Sequence, residues 1–394
     1  MSEMFRDRFP IFKRFSNTGT VYFDNASTTL KPIDVIERVS SFYSEETSSV
    51  ARGTHSLAEK NGLAFEDVRQ RFAEFINASS DEIIFTKNCT GSINLVASGV
   101  CCSDKDEFIV SILEHHSNFL PWKKRGKVRC VGVDVQGRID LNELADLISK
   151  DTKLIAVTMV SNVTGNVQPV KRIAELARSK GVLTLVDAAQ AAGHMPIDVR
   201  DIGCDFMSFS AHKMFGPSGL GMLYAKKECM HMLKPNDFGG GMVNKVSQED
   251  LSFKEAPYLF EAGTPNIEGV LGLGGALDFL SKNQGIFSRV QVLEKYLLER
   301  MKELLFINFP FPVSDDHVPI ISFRPNSGIN DGYVASILSD SHGICVRSGY
   351  HCAQPLFSLG GEAGVLRASL HVYNTEDEID RFVSVLNDLK PMLE

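Results

Sequence analysis

The sequence predicts an α/β protein with a largely parallel central sheet that is covered by helices on both faces. The clearest support is one β–α–β unit, in which a helix at residues 170–180 connects apolar strands at 154–160 and 182–186. A crossover helix of this kind joins parallel strands. The chain has 394 residues, more than a single domain usually contains, which favours a large domain accompanied by a smaller one.

The remaining elements follow from apolar runs and from helical periodicity along the chain. Further strands are predicted at residues 81–86, 107–111, 128–134 and 206–209. Further helices are predicted at residues 31–43, 57–76, 93–100, 142–150, 271–282 and 290–305. After residue 319 the elements become short, with strands at 320–323 and 344–346 and helices at 332–338 and 376–389. We therefore predict a lead-in at 1–20 that packs on the small domain, a large domain at 21–285 and a small domain at 286–394.

Composition and charge exclude several classes of protein. The formal net charge is −8 and no block of basic residues stands out, which argues against nucleic acid or an anionic membrane as the main partner. No apolar run approaches the roughly 20 residues of a membrane helix, and the first ten residues do not resemble a secretory signal. The eight cysteines form no Cys-x-x-Cys pair and the ten histidines show no zinc-type spacing. We expect reduced thiols, a cytoplasmic location and no metal.

Two residues at predicted strand ends are candidates for chemistry. Lys213 follows an apolar strand and enters a segment rich in glycine, where open α/β sheets collect ligands. The alternative for Lys213 is a surface lysine beside a turn. Asp187 ends a fully apolar strand, and a carboxylate in that place is costly unless a cation meets it. The alternative for Asp187 is a helix cap.

Three further segments carry weaker signals. Residues 87–92 are predicted to form a polar loop between a strand and a helix, an arrangement that either binds phosphate or merely caps the helix. His115 and His116 are adjacent and so make a poor chelating pair; one of them either stacks on a flat ligand or is structural. Cys352 lies in a loop with a histidine and arginines nearby, which favours a reactive thiolate over a buried structural cysteine.

Eight separated motifs resemble those of one known family. They are Tyr-Phe-Asp-Asn-Ala at 22–26, Arg-Gly-Thr-His at 52–55, Glu-His-His-Ser-Asn at 114–118, Val-Ser-Asn-Val at 160–163, Val-Asp-Ala-Ala-Gln at 186–190, Phe-Ser-Ala-His-Lys at 209–213, Glu-Ala-Gly-Thr-Pro-Asn at 261–266 and Arg-Ser-Gly-Tyr-His-Cys-Ala-Gln-Pro at 347–355. In this order the chain resembles the SUF-type, or group II, cysteine desulfurases of the class V aminotransferase family. The resemblance implies the fold type I architecture of pyridoxal 5′-phosphate (PLP) enzymes, with a seven-stranded type of sheet, and a homodimer with active sites at its interface.

The same resemblance implies a set of cofactor contacts. Lys213 is expected to carry PLP as a Schiff base, and Asp187 to pair with the ring nitrogen and keep it protonated. Gln190 would hydrogen-bond the phenolic oxygen of the ring, and His115 would stack on the ring and assist as an acid or base. The implied phosphate ligands are Thr90, Ser210, His212 and, from the neighbouring subunit, Thr264.

For the substrate, the resemblance implies that Arg367 and Asn162 hold the carboxylate of L-cysteine, with Arg347 also in the substrate-binding set. Cys352 would take the sulfur as a persulfide and leave L-alanine. His351 and Arg347 are expected to promote ionisation of that thiol. The small domain would thus carry the catalytic cysteine loop, and the sulfur would pass to an acceptor or scaffold protein for iron–sulfur cluster assembly.

The chain departs from the usual pattern at three positions. Cys89 and Gly91 replace the threonine and glutamate that are common there, and Tyr350 stands where histidine is frequent. These changes leave the phosphate contacts of residues 89–92 open. Two alternative functions also remain: a selenocysteine lyase or cysteine sulfinate desulfinase that shares the cofactor site, and a catalytically silent dimeric scaffold in a sulfur-transfer complex.

Overall fold

The computed structural model describes residues 5–50, 53–100, 103, 105–283, 285–358 and 363–394. Arg52, which opens one of the motifs above, lies outside these residues, as do Cys101 and Cys102. The strands are β1 Val21–Tyr22, β2 Ile83–Thr86, β3 Glu107–Ser111, β4 Lys127–Val131, β5 Thr152–Thr158, β6 Leu183–Asp187, β7 Phe206–Ser210, β8 Gly221–Ala225, β9 Val243–Val246, β10 Leu251–Phe253, β11 Ile307–Asn308, β12 Ile320–Pro325, β13 Ile344–Cys345, β14 Arg347–Gly349 and β15 Val365–Ser369.

The α-helices cover both faces of the sheet and the C-terminal part of the chain. They are α1 Phe12–Thr18, α2 Ile33–Ser41, α3 Ser56–Phe75, α4 Cys89–Val100, α5 Leu120–Arg125, α6 Leu141–Leu147, α7 Val170–Ser179, α8 Val199–Ile202, α9 Ile267–Lys282, α10 Ile286–Lys302, α11 Asp331–His342, α12 Gln354–Phe357, α13 Glu376–Asp388 and α14 Lys390–Leu393. Short 3₁₀ turns include His116–Asn118 and Ala211–Lys213.

The larger sheet is mostly parallel, as the sequence predicts. In the described part of the chain it has seven strands in the order β2-β8-β7-β6-β5-β3-β4. Strands β7, β6, β5, β3 and β4 run parallel to one another, whereas β8 is antiparallel to both β7 and β2. Separate apolar clusters cover the two faces of this sheet: Phe209 and Met222 belong to one, and Phe206 and Leu223 to the other. This confirms the predicted α/β class with a sheet sandwiched by helices.

The C-terminal part contains a second, antiparallel sheet in the order β11-β12-β15-β14. It packs on a cluster of its own, to which α10, α11 and α13 contribute. The N-terminal lead-in contacts residues from both regions, because Phe9 packs against Phe215 and Phe279 and also against Tyr373. The domain boundaries proposed from the sequence remain a prediction.

Two element predictions near the site were wrong in an instructive way. Helix α4 begins at Cys89 rather than Ile93, so residues 89–92 form its first turn and are not a loop. Gly221 belongs to the glycine-rich segment after Lys213, where the sequence predicts tight turns, but in the structure it begins strand β8. A Cβ at Gly221 would lie 2.3 Å from the backbone carbon of Asn88, so the glycine allows the start of α4 to cross directly over the strand.

None of the described helices is long and apolar enough to cross a membrane.

Candidate active site

A cavity of about 280 Å³ opens where strands of the larger sheet end. Strands β5, β6 and β7 finish there with Thr158, Asp187 and Ser210, and all three residues line the cavity. In parallel sheets the carboxyl ends of the strands share one edge, which is the usual place for ligands. The structure therefore gathers side chains from distant parts of the sequence at one polar opening.

Nearly all the site residues predicted from the sequence line this one cavity. They are Thr90, His115, Asn162, Asp187, Gln190, Ser210, His212, Lys213, Arg347, Cys352 and Arg367. Thr264 is the exception, because it lines a neighbouring cavity of about 550 Å³ that shares Asn88 and Thr90 with the first. Its predicted contact across a dimer remains a prediction.

Lys213 lies in the 3₁₀ turn that follows β7, with its side chain in the cavity wall. Burial lowers the pKa of its ammonium group, and the negative charge of Asp187 opposes that shift. A lysine with a lowered pKa has a larger fraction of free amine, which is the nucleophilic form. This environment favours the reactive interpretation of Lys213 over that of a surface lysine.

The turn that carries Lys213 is held by contacts from the N-terminal region. The backbone oxygen of His212 accepts hydrogen bonds from Lys31 Nζ at 2.9 Å and from Thr29 Oγ1 at 3.1 Å. Thr29 Oγ1 also accepts a hydrogen bond from the backbone N–H of Phe215, at 2.9 Å. Phe215 is fully buried and has a left-handed backbone with φ of 69°, a strained conformation that its packing maintains. These contacts fix the direction in which Lys213 leaves the sheet.

Asp187 is buried at the end of β6. Its Oδ1 accepts a hydrogen bond from the backbone N–H of Ala189 at 2.9 Å, so the capping alternative describes part of its role. The same oxygen lies 3.2 Å from Cys89 Sγ. Gln190, three residues further along, donates from Nε2 to the backbone oxygen of Ala26 at 2.8 Å.

His115 is at one end of a short hydrogen-bonded chain that continues through Ser117 to Thr90. Its Nδ1 accepts from the backbone N–H of Ser117 at 3.1 Å, which places the ring proton on Nε2. The Ser117 hydroxyl also lies 2.7 Å from Thr90 Oγ1, on the first turn of α4. Burial, with help from the charge of Lys213, lowers the pKa of His115 to about 4, so the imidazole is neutral and only weakly basic. A neutral flat ring fits the predicted stacking role, and the acid/base role remains a prediction.

At the other end of the cavity, Asp24 holds both predicted substrate arginines. Arg347 contacts Asp24 through Nη2 at 3.0 Å, and Arg367 contacts it through Nη2 at 3.2 Å. Arg367 also donates from Nη1 to the backbone oxygen of Asn162 at 2.8 Å. Burial lowers the pKa of Arg367 to about 10, which leaves the guanidinium charged at neutral pH. The two arginines differ in exposure, since the side chain of Arg367 is 3% exposed and that of Arg347 48%.

Cys352 is exposed and lies between β14 and α12. Both His351 and Cys352 have left-handed backbones, with φ of 49° and 57°. Two contacts to the larger sheet region hold them there: Asn162 Nδ2 donates to the oxygen of His351 at 2.8 Å, and the N–H of His116 donates to the oxygen of Cys352 at 2.7 Å. Residues other than glycine adopt this conformation at a cost, so its occurrence beside a candidate nucleophile favours a functional role.

His351 is not placed to promote ionisation of the Cys352 thiol through a positive charge of its own. Burial, together with the charge of Arg367, lowers the pKa of His351 to about 3, so its ring is neutral at physiological pH. Its Nε2 lies 3.2 Å from the backbone oxygen of Val365. Arg347 remains the cation on that side of the loop.

Sequence reasoning missed several residues of the site. Asp24 and Ser117 both stand inside quoted motifs, but no role was assigned to either of them. Ser117 lines the cavity, as do Asn88 and Ser27. A signal was present only for Asp24 and Ser117, because a buried arginine requires a carboxylate and a neutral imidazole requires a hydrogen-bond partner.

The aminotransferase class-V family model matches residues 21–382. The chain therefore belongs to the aminotransferase class-V family. The names of two similar proteins state the same activity. A probable cysteine desulfurase of Halalkalibacterium halodurans is 39% identical, covering 97% of this chain and 96% of that protein. A cysteine desulfurase of Pectobacterium carotovorum is 38% identical, covering 99% and 98%.

Solved structures agree with the sequence comparisons. The apo structure of cysteine desulfurase from Thermococcus onnurineus has a TM-score of 0.93 at 35% identity, covering 99% of this chain and 98% of that one. The Escherichia coli cysteine desulfurase CsdA, in a form described as S-sulfonic acid, has a TM-score of 0.91 at 33% identity, covering 100% and 99%. The fold of the chain is that of the PLP-dependent cysteine desulfurases.

The residues of the cavity fit PLP. Gln190 Oε1 and Arg367 Nε are buried polar atoms without a hydrogen-bond partner among the described residues, as expected where a polar ligand belongs. Lys213 provides an amine for covalent attachment and Asp187 a carboxylate for a protonated ring nitrogen. Thr90, on the first turn of α4, and Ser210 provide hydroxyls beside a helix N-terminus, where phosphate binds favourably.

Proposed function

We propose that this protein is a cysteine desulfurase, which converts L-cysteine to L-alanine and holds the sulfur as a persulfide on Cys352. The observation that carries the proposal is the composition of one cavity, which is lined by the amine of Lys213, the carboxylate of Asp187 and the thiol of Cys352. An amine that can bind PLP and a thiol that can accept sulfur would then act on the same substrate. The relatives named as cysteine desulfurases support the same reaction.

When bound, PLP supplies an electron sink for negative charge at the α-carbon of an amino acid. The carboxylate of Asp187 would pair with the ring nitrogen and favour its protonated form. Lys213, whose pKa is lowered by burial, would hold PLP and, as a free amine, accept the α-proton at Nζ. The neutral ring of His115 would cover one face of the bound group and exclude water from it.

The part of the cavity that contains Arg367 and Arg347 orients the substrate. The guanidinium of Arg367 binds the carboxylate of L-cysteine and is itself held by Asp24 and by the backbone oxygen of Asn162. The side chain of Asn162 donates to the cysteine loop, so it links substrate position to loop position. Arg347 contributes positive charge near the same carboxylate and near Cys352.

Cys352 accepts the sulfur from the substrate. Its thiolate forms a sulfur–sulfur bond with the substrate sulfur while the bond from that sulfur to the β-carbon breaks. The electron pair of the broken bond remains on carbon, which is then protonated to become the methyl group of alanine. Cys352 keeps the sulfur as a persulfide, and no external oxidant is needed.

The finer assignments belong to the same proposal. We place the protein in the SUF-type, group II branch, acting as a cytoplasmic homodimer whose Thr264 reaches the phosphate of the neighbouring subunit. The exposure of Cys352 supports transfer of the sulfur to an acceptor protein that serves iron–sulfur cluster assembly, because an acceptor thiol has to reach the persulfide. The predicted boundaries at residues 20 and 285 then separate the lead-in, the PLP-binding domain and the domain with the cysteine loop.

The test is the release of alanine from L-cysteine in the presence of a reductant, for the wild type and for Cys352→Ala. Cys130→Ala is the matched control, because Cys130 is also an exposed free thiol but does not line the cavity. We expect alanine from the wild type and from Cys130→Ala, and none above background from Cys352→Ala although it retains PLP. Equal release by all three proteins would favour the selenocysteine or sulfinate lyase alternative. No release by any of them, even with acceptor proteins added, would favour the scaffold.

A further inference from the structure

Cys89 is one of the departures from the family pattern that the proposed function does not explain. It is the first residue of α4, it is 5% exposed, and it lines the same cavity as Lys213. Its side chain contacts two neighbouring strands, at Asp187 in the last position of β6 and at Ser208 in the middle of β7.

The contacts of the Cys89 thiol determine which group donates each of its hydrogen bonds. Sγ lies 3.2 Å from Asp187 Oδ1 and 3.1 Å from Ser208 Oγ. A thiol has one proton and an ionised carboxylate has none, so the S–H donates to Asp187 and the Ser208 hydroxyl donates to sulfur. Burial, and then the negative charge of Asp187, raise the pKa of the Cys89 thiol well above its ordinary value. The thiol therefore stays protonated and is not a second nucleophile beside Cys352.

The hydrogen bond from Cys89 acts on a carboxylate that, within the described part of the chain, accepts one other hydrogen bond. Its Oδ1 accepts from the backbone N–H of Ala189, so two donors converge on that oxygen. Two donors on one oxygen restrain the orientation of the carboxylate. The backbone N–H of Cys89 in turn donates to Ser210 Oγ at 3.0 Å, so a single residue contacts both the aspartate and a proposed phosphate ligand.

We propose that Cys89 is a positioning residue of this enzyme, whose thiol holds Asp187 in the orientation that pairs with the ring nitrogen of PLP. This inference rests on the proposed function, because it requires the pairing of Asp187 with the cofactor. It also explains how the chain works without the threonine that is common at position 89, since a thiol provides a hydrogen-bond donor in the same place.

The test is a double-mutant cycle on PLP binding. Apo-protein is prepared from the holoenzyme of the wild type, Cys89→Ala, Asp187→Asn and the double variant, and the dissociation constant of PLP is measured by titration. We expect Cys89→Ala to weaken binding roughly three- to tenfold, the size of one ordinary hydrogen bond, because a thiol is a weak donor even to a carboxylate. In the Asp187→Asn background the same change should alter binding by less than about twofold, because the group that accepts the S–H bond has lost its charge.

Two further variants separate positioning from packing. Cys89→Ser keeps a donor and should bind PLP within about twofold of the wild type. Cys204→Ala is the matched control, because Cys204 is a buried thiol that does not line the cavity, and it should leave PLP binding unchanged. As a spectroscopic readout, the pH midpoint of the visible absorption of bound PLP should shift in Cys89→Ala and not in Cys204→Ala.

The inference is overturned if Cys89→Ala weakens PLP binding equally in both backgrounds, or if Cys89→Ser fails to restore it. Those results leave the proposed function intact as long as the wild type binds PLP and releases alanine. If the wild type does not bind PLP, the proposed function and the inference fail together.

Discussion

The two sides of the cavity are built in opposite ways. The side that carries Lys213 and Asp187 consists of strand ends, buried polar groups and hydrogen bonds that fix each side chain. The side that carries Cys352 is an exposed loop with two consecutive left-handed residues, held by hydrogen bonds to its backbone oxygens. The difference corresponds to the two tasks, because a cofactor has to stay in place whereas a sulfur atom has to leave.

Replacing Lys213 tests the buried side with the largest expected effect. Lys213→Ala should lower alanine formation by at least about 10³-fold, because both the covalent attachment and the base at the α-carbon are lost. Lys213→Arg should be as inactive, since a guanidinium keeps its proton and does not attack a carbonyl. Urea unfolding provides the control for folding. Substantial activity in Lys213→Arg would contradict the assigned role.

The two arginines allow a matched comparison between a buried and an exposed cation. Arg367→Lys should raise KM for L-cysteine about 10²-fold, because the buried fork that binds a carboxylate through two bonds is lost. Arg347→Lys should raise it by no more than about fivefold, since that side chain is half exposed and solvent screens its charge. Steady-state kinetics measure both values. Equal effects, or a larger effect at Arg347, would contradict the assignment of Arg367 as the main carboxylate ligand.

His194 contacts the backbone oxygen of Gln190 on the buried side of the cavity. It makes the stability of that side depend on pH. Burial lowers the pKa of this imidazole to about 4, so the folded chain holds it neutral, while the unfolded chain protonates it below about pH 6.5. The stability that depends on the neutral form is therefore complete above about pH 6.5 and is lost as the pH falls to about 4, by up to about 3 kcal/mol.

His194→Asn, which keeps a donor for the backbone oxygen of Gln190, should remove this part of the acid sensitivity. The measurement is the free energy of unfolding in urea from about pH 4 to about pH 7 for both proteins. The advantage of the wild type over the variant should shrink as the pH falls. A difference that does not change with pH would show that His194 does not titrate in this way.

The smallest predicted effect is a change in the free energy of unfolding caused by the backbone conformation of the cysteine loop. His351→Val should be less stable than His351→Gly by about 1–2 kcal/mol, because a β-branched residue resists the left-handed conformation that glycine adopts freely. Both variants lack the imidazole, so its contacts do not contribute to the difference between them. Equal free energies of unfolding in urea would mean that the loop relaxes to another conformation.

The sequence predicted the buried side better than the exposed one. Lys213 and Asp187 come at or after the ends of apolar strands, and a polar residue in that position can be recognised from the sequence alone. The start of α4 at Cys89 and the strand at Gly221 were missed, because both depend on the crossing of two distant segments. The neutral state of His351 was also missed, since its burial arises from the fold and not from its neighbours in sequence.

The most direct test of the account is to locate the sulfur after a single turnover. The PLP-loaded wild type is mixed with one equivalent of L-cysteine without reductant or acceptor, and its thiols are then alkylated and mapped by mass spectrometry. The account predicts one added sulfur atom on the peptide that contains Cys352, one equivalent of alanine, and no added sulfur on Cys89. Alanine formed without added sulfur on Cys352, or with the sulfur on another cysteine, would contradict it.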